Sequence, residues 1–170
     1  MRLSAELLSQ AEQRPNPLGE RELVLRGYAI PTIEHLGATQ DAYDAIDLSD
    51  NRLTTVDNFP RLKRLTSLTF TRNMVESIDA KNLKKNVPNL EHLVLTDNRI
   101  TGLHSVASIG DGCPKLTFLS LVGNPVIRKL YILCLAGFFY ILHLNSANRH
   151  PCLNPFYWNT MFVCFLQNII

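Results

Sequence analysis

The side chains that could do chemistry in this chain are five histidines, four cysteines and fifteen carboxylates. Their spacing forms none of the arrangements that catalysis needs. A serine nucleophile needs an activating base and a strained turn to present it. No G-x-S-x-G surrounds Ser105, Ser108 or Ser120. The stretch SIGDGC carries Gly110 and Gly112 but lacks the third glycine and the strand–helix setting of a dinucleotide loop, so it reads as a turn. Zinc needs four well-spaced ligands. Cys113, Cys134, Cys152 and Cys164 make no C-x-x-C pair, and His150 and Cys152 are the nearest His–Cys neighbours. No metal, cofactor or small-molecule substrate is expected, and no enzyme. His92, just before Leu93, reads as a solvated or partner-contacting histidine.

The side chain that does recur is an amide. Asn51, Asn73, Asn98 and Asn124 follow one another at intervals of 22, 25 and 26 residues. The same apolar frame precedes each: Ile46-x-Leu48, Leu62-x-x-Leu65-x-x-Leu68-x-Phe70, Val87-x-x-Leu90-x-x-Leu93-x-Leu95 and Leu116-x-x-Leu119-x-Leu121. An earlier copy, Leu23-x-Leu25-x-x-Tyr28-x-Ile30, has Tyr28 in the asparagine position. This is the period and frame of a leucine-rich repeat. Each L-x-L is a short strand with its apolar pair on one face. The chain then turns sharply, and an inward amide can donate to and accept from turn groups that would otherwise be buried unpaired. The asparagines are therefore read as a structural ladder. One such unit cannot bury its apolar face alone, so the units stack. The expected fold is α/β: a solenoid of about five repeats with parallel strands on its concave face. Leu3, Leu7, Leu8 and Ala11 share a helical face, with Ser4 as N-cap and Pro15 and Pro17 as the stop. That helix is expected to cap the open edge before the first strand.

The residues that alternate with the strand leucines must then face the hollow. They are Glu22, Val24 and Arg26; Asp47 and Ser49; Ser67, Thr69 and Thr71; His92, Val94 and Thr96; Ser120 and Val122. Five strands about 4.8 Å apart span roughly 20 Å, and a helix with its side chains is about 10–12 Å across. The hollow thus suits one helix or the face of a small domain, and its mix of polar and apolar groups suits a specific protein contact. Two basic clusters lie off this face, Arg61, Lys63, Arg64 and Lys81, Lys84, Lys85. They read as solvated convex helical segments, with RNA backbone contact as the alternative.

Composition divides the chain near residue 129. All acidic residues lie at or before Asp111, and only Arg149 carries a fixed charge after Lys129. We assign 1–129 to the repeat domain with its cap and 130–170 to an apolar tail, a poor C-terminal cap or disordered segment with an aggregation tendency. The run from Leu130 to Leu142 is shorter than the about 20 residues of a spanning helix, so membrane insertion is not expected. The charged N-terminus lacks the apolar core of a signal peptide, which favours reduced thiols in a cytosolic or nuclear setting. A net charge of +2 is too small for unaided nucleic-acid binding.

The stretch RELVLRGYAIPTIEHLGATQDAYDAIDLSDN (21–51), with the lead-in LSAELLSQA, resembles the opening of the U2 small nuclear ribonucleoprotein A-prime family. The phrase LRGYAIPTIEHLGAT is specific, because it includes residues the repeat does not dictate. The resemblance runs from about residue 1 to Lys129. It implies a nuclear, non-catalytic protein of the spliceosome. Its concave face would grip an RNA-recognition-motif partner of the B-double-prime type, and U2 small nuclear RNA would be bound mainly through that partner. After GNPV the chain departs from the family's charged helix and cap. A cytoplasmic repeat scaffold with another partner is the alternative.

Overall fold

The computed structural model describes residues 2–129, so the expectations for 130–170 lie outside the described residues. Each L-x-L unit is a strand of a single curved sheet. β1 (Glu12–Pro15), β2 (Arg21–Val24), β3 (Ala45–Asp47), β5 (Ser67–Thr69), β7 (His92–Val94) and β8 (Phe118–Ser120) lie side by side in that order. β2 through β8 run parallel, in a register that aligns Leu23, Ile46, Leu68, Leu93 and Leu119. A second, two-stranded parallel sheet pairs β4 (Thr55–Val56) with β6 (Ser77–Ile78). The returning segments carry α2 (Ala80–Asn86), α3 (Leu103–Gly112) and a 3-10 turn at Leu36–Thr39. The frame leucines form one continuous core, in which Leu25, Leu48, Phe70, Leu95 and Leu121 are fully buried.

α1 (Ala5–Gln10) starts at Ser4, whose hydroxyl accepts from Leu7 N at 3.2 Å, and it buries Leu7 and Leu8. The prolines do not end it. The helix stops at Gln10, and Pro15 closes β1, which pairs antiparallel with β2. The strand, not the helix, covers the edge of β2. Pro15 is tolerated there because β1 is itself an edge strand. The SIGDGC turn is also corrected, since Gly110 and Gly112 lie in the last turn of α3. A Cβ on Gly112 would sit 2.6 Å from the Ala80 carbonyl oxygen, so glycine is what lets α3 close onto α2.

The asparagine side chains join neighbouring turns. Asn98 Nδ2 donates within its own turn to Leu95 O (3.1 Å) and Thr96 O (3.1 Å), and back to Phe70 O (2.8 Å) of the preceding repeat. Its Oδ1 accepts from Val75 N at 2.9 Å. Asn51, Asn73 and Asn124 repeat the pattern, their Oδ1 atoms accepting from Ile30, Leu53 and Ile100 N. The turn after each strand is thus completed by the following repeat. At the last asparagine the pattern changes. Pro125 stands where Arg52, Met74 and Arg99 donate backward through their amides, and having no N–H it cannot. Val126 N donates to Ile100 O instead, at 2.9 Å. A second, convex ladder was not foreseen: Asn58 donates to Ile33 O, Asn82 accepts from Phe59 N, and Asn86 donates to Phe59 O.

Candidate protein-binding surface

Because the frame leucines face the core, the residues alternating with them face the hollow. The register sets them in rows. Glu22, Ala45, Ser67, His92 and Phe118 stand side by side, as do Val24, Asp47, Thr69, Val94 and Ser120. A third row, Arg26, Ser49, Thr71, Thr96 and Val122, follows from bonds such as Asp50 N to Thr71 O and Arg72 N to Thr96 O. Most of these side chains are half-buried and Arg26 is exposed. Asp47, Ser49 and Ser120 are more enclosed than the sequence suggested. Asp47 Oδ1 accepts from both the amide and the hydroxyl of Ser49, at 2.9 and 2.5 Å. The hydroxyls of Thr96 and Ser120 lie 2.9 Å apart. These groups are bonded to one another and shape the floor of the face.

The face changes character along the solenoid. Toward β7 and β8 it is apolar and aromatic, with Val94, Val122 and the rings of His92 and Phe118 at 6.3 Å between centroids. His92 is not simply solvated. Its Nδ1 is buried and has no hydrogen-bond partner among the described residues. Toward β2 and β3 the face is charged. Glu22 meets Arg14 of β1 at 3.3 Å. At the rim, Asp50 takes Arg72 Nε at 2.5 Å and Arg26 Nε at 2.6 Å, so one carboxylate ties three successive repeats. The hydrogen bond from Arg72, with Arg26 adding to it, holds the Asp50 carboxyl down at about 2. Hydrogen bonding from Arg64 likewise lowers Asp44.

Ala45, Phe118, Asp50 and Arg72 were missed in the sequence. Phe118 was findable, because it precedes Leu119 as His92 precedes Leu93. Asp50 and Arg72 occupy turn positions with left-handed backbone, φ 57° and 55°, and no alternation rule reaches them. Of the basic residues, Lys81, Lys84 and Lys85 are on α2, but Arg61, Lys63 and Arg64 are in an irregular segment, not a helix. Arg64 is held by Asp44 at 2.5 Å. Cys113 is buried, which pushes its thiol up to about 11. Among the described residues no group of His, Cys, Asp or Glu could hold a metal ion, and no helix is long and apolar enough to cross a membrane.

A leucine-rich repeat family model matches residues 1–136. The U2 small nuclear ribonucleoprotein A' of Schizosaccharomyces pombe is 44% identical over 157 residues, which cover 90% of this chain and 65% of that protein. The human protein of the same name is 43% identical over 129 residues, 76% of this chain and 50% of that one. A chain from the crystal structure of the Drosophila melanogaster SNF/U2A' complex superposes with a TM-score of 0.73 at 43% identity, covering 78% of each chain. The chain belongs to the leucine-rich repeat family of U2 small nuclear ribonucleoprotein A-prime proteins. It spans about half to two-thirds of the length of the curated relatives it matches.

Proposed function

We propose that this chain is a nuclear component of the U2 small nuclear ribonucleoprotein and acts in pre-mRNA splicing. Its concave face holds one helix of an RNA-recognition-motif partner of the B-double-prime type. That partner contributes most of the contact with a U2 small nuclear RNA stem-loop. The observation that carries this reading is the likeness to a chain of the SNF/U2A' complex, a protein–protein assembly by name. The face itself supports it. Its floor is fixed by internal hydrogen bonds, so little ordering cost falls on binding. Its apolar end around His92, Phe118 and Val94 offers the aromatic contacts that anchor interfaces. Thr69 and Val94 are half-buried and lie on adjacent strands of the same row. Replacing both with Arg adds bulk and charge where a helix would rest. Capture of the partner by the doubly substituted chain should be lost while its circular-dichroism spectrum stays native. Full capture with a native spectrum would refute this face as the site.

A further inference from the structure

The two basic clusters, about 20 residues apart in the chain, are neighbours in the fold. Leu62 N donates to Asn86 O at 2.7 Å, which seats Arg61 and Lys63 beside the end of α2 that carries Lys84 and Lys85. The next repeat joins them. Asn89 Nδ2 donates to Lys63 O at 2.6 Å, and Lys115 Nζ reaches Asn89 Oδ1 at 2.7 Å. Cations from three consecutive repeats thus form one patch. Arg61, Lys63, Lys84, Lys85 and Lys115 are all exposed, and none forms an ion pair among the described residues. Two carboxylates beside it bond this segment without pairing the patch cations. Asp41 accepts the backbone amides of Lys63 and Arg64, at 3.1 and 3.0 Å, and Asp44 holds Arg64.

We propose that this patch is a second recognition surface, one that binds the phosphate backbone of RNA directly. The inference rests on the reading that the protein works on RNA beside a partner. It adds a contact made by the repeat domain itself. Flexible lysines without carboxylate partners are suited to phosphates, where release of condensed counterions supplies the free energy. An anionic membrane is the poorer match. A helix lying on a bilayer needs an exposed apolar face, whereas Leu83 of α2 is buried and Leu18, on the β1–β2 hairpin, is the one exposed large apolar residue among the described residues. The loop carrying Lys63 leads straight into β5, so the patch borders the edge where the concave strands begin.

The test compares the full chain with its Lys63→Gln/Lys84→Gln/Lys85→Gln variant. Affinity for a U2-type stem-loop RNA is measured by fluorescence anisotropy from about 50 to 200 mM salt, with and without the RNA-recognition-motif partner. Losing three phosphate contacts should lower the slope of log affinity against log salt by about 2–3. The affinity loss across that fourfold salt range then shrinks roughly 15–65-fold. Equal slopes for the two chains in both arms would overturn the proposal. Partner capture with equal slopes leaves the concave-face reading standing and removes this one. Differing slopes without partner capture do the reverse. Binding of the parent chain, but not the variant, to phosphatidylserine vesicles, with equal RNA slopes, would overturn it in favour of a membrane surface.

Discussion

Truncating Asn98 to alanine tests the ladder at its centre. The side chain is buried, 5% exposed, and makes four hydrogen bonds across two repeats. Alanine leaves Val75 N–H without an acceptor, at a cost of about 1–3 kcal/mol for an unsatisfied buried donor. Phe70, Leu95 and Thr96 carbonyls also lose a donor, a smaller penalty because carbonyls tolerate under-satisfaction better. The sum is about 2–4 kcal/mol. With a urea dependence of about 2 kcal/mol per molar, the unfolding midpoint should fall by roughly 1–2 M. Asn98→Asp is sharper. It keeps an acceptor for Val75 N–H but turns a donor into a carboxylate facing three carbonyl oxygens, so it should be at least as damaging as alanine. Lys84→Ala, on the exposed face of α2, should shift stability by less than about 0.5 kcal/mol. Equal urea midpoints for Asn98→Ala and Lys84→Ala, or a harmless Asn98→Asp, would refute the ladder as a source of stability.

Two further outcomes follow from particular contacts, beside the tests of the concave face and the basic patch given above. Gly112→Ala should destabilise by about 1–3 kcal/mol in thermal melts, because its Cβ meets the backbone of Ala80 and not a movable side-chain tip. Asp50 has a folded-state pKa near 2 against an ordinary 3.8, so its ionised form stabilises the fold above about pH 4 and that contribution is lost as pH falls through 2. Asp50→Asn should therefore flatten the loss of stability between about pH 4 and 2, read by melting temperature against pH.

The repeat was legible because its causes are local and periodic. The Leu-x-Leu strands, the four asparagines and the Ser4 cap each depend on residue type at a fixed spacing, and those spacings survive in the sequence. The concave rows followed from alternation alone. What escaped depends on pairs brought together by stacking. That Arg72 and Arg26 share Asp50, or that Asn58, Asn82 and Asn86 bond from one repeat to the next, is set by the offset between coils. Unequal repeat lengths hide that offset. β1 was misread as the end of a helix because proline marks a helix stop and an edge strand equally well, and only the pairing with β2 separates them.

The direction of the amide ladder bears on how the domain is made. Ile30, Leu53, Val75 and Ile100 each wait for an asparagine that lies 20 to 24 residues further along the chain. On a ribosome, where the N-terminus emerges first, each coil can finish its hydrogen bonding only after the next has been translated, so closure trails synthesis by one repeat. Pro125 ends that dependence. With no N–H at Pro125, the Val126 amide turns back to Ile100 and is satisfied without a fifth asparagine. This turn amide is therefore satisfied as soon as Val126 is free of the exit tunnel, whereas its counterparts in the earlier coils wait for the next repeat.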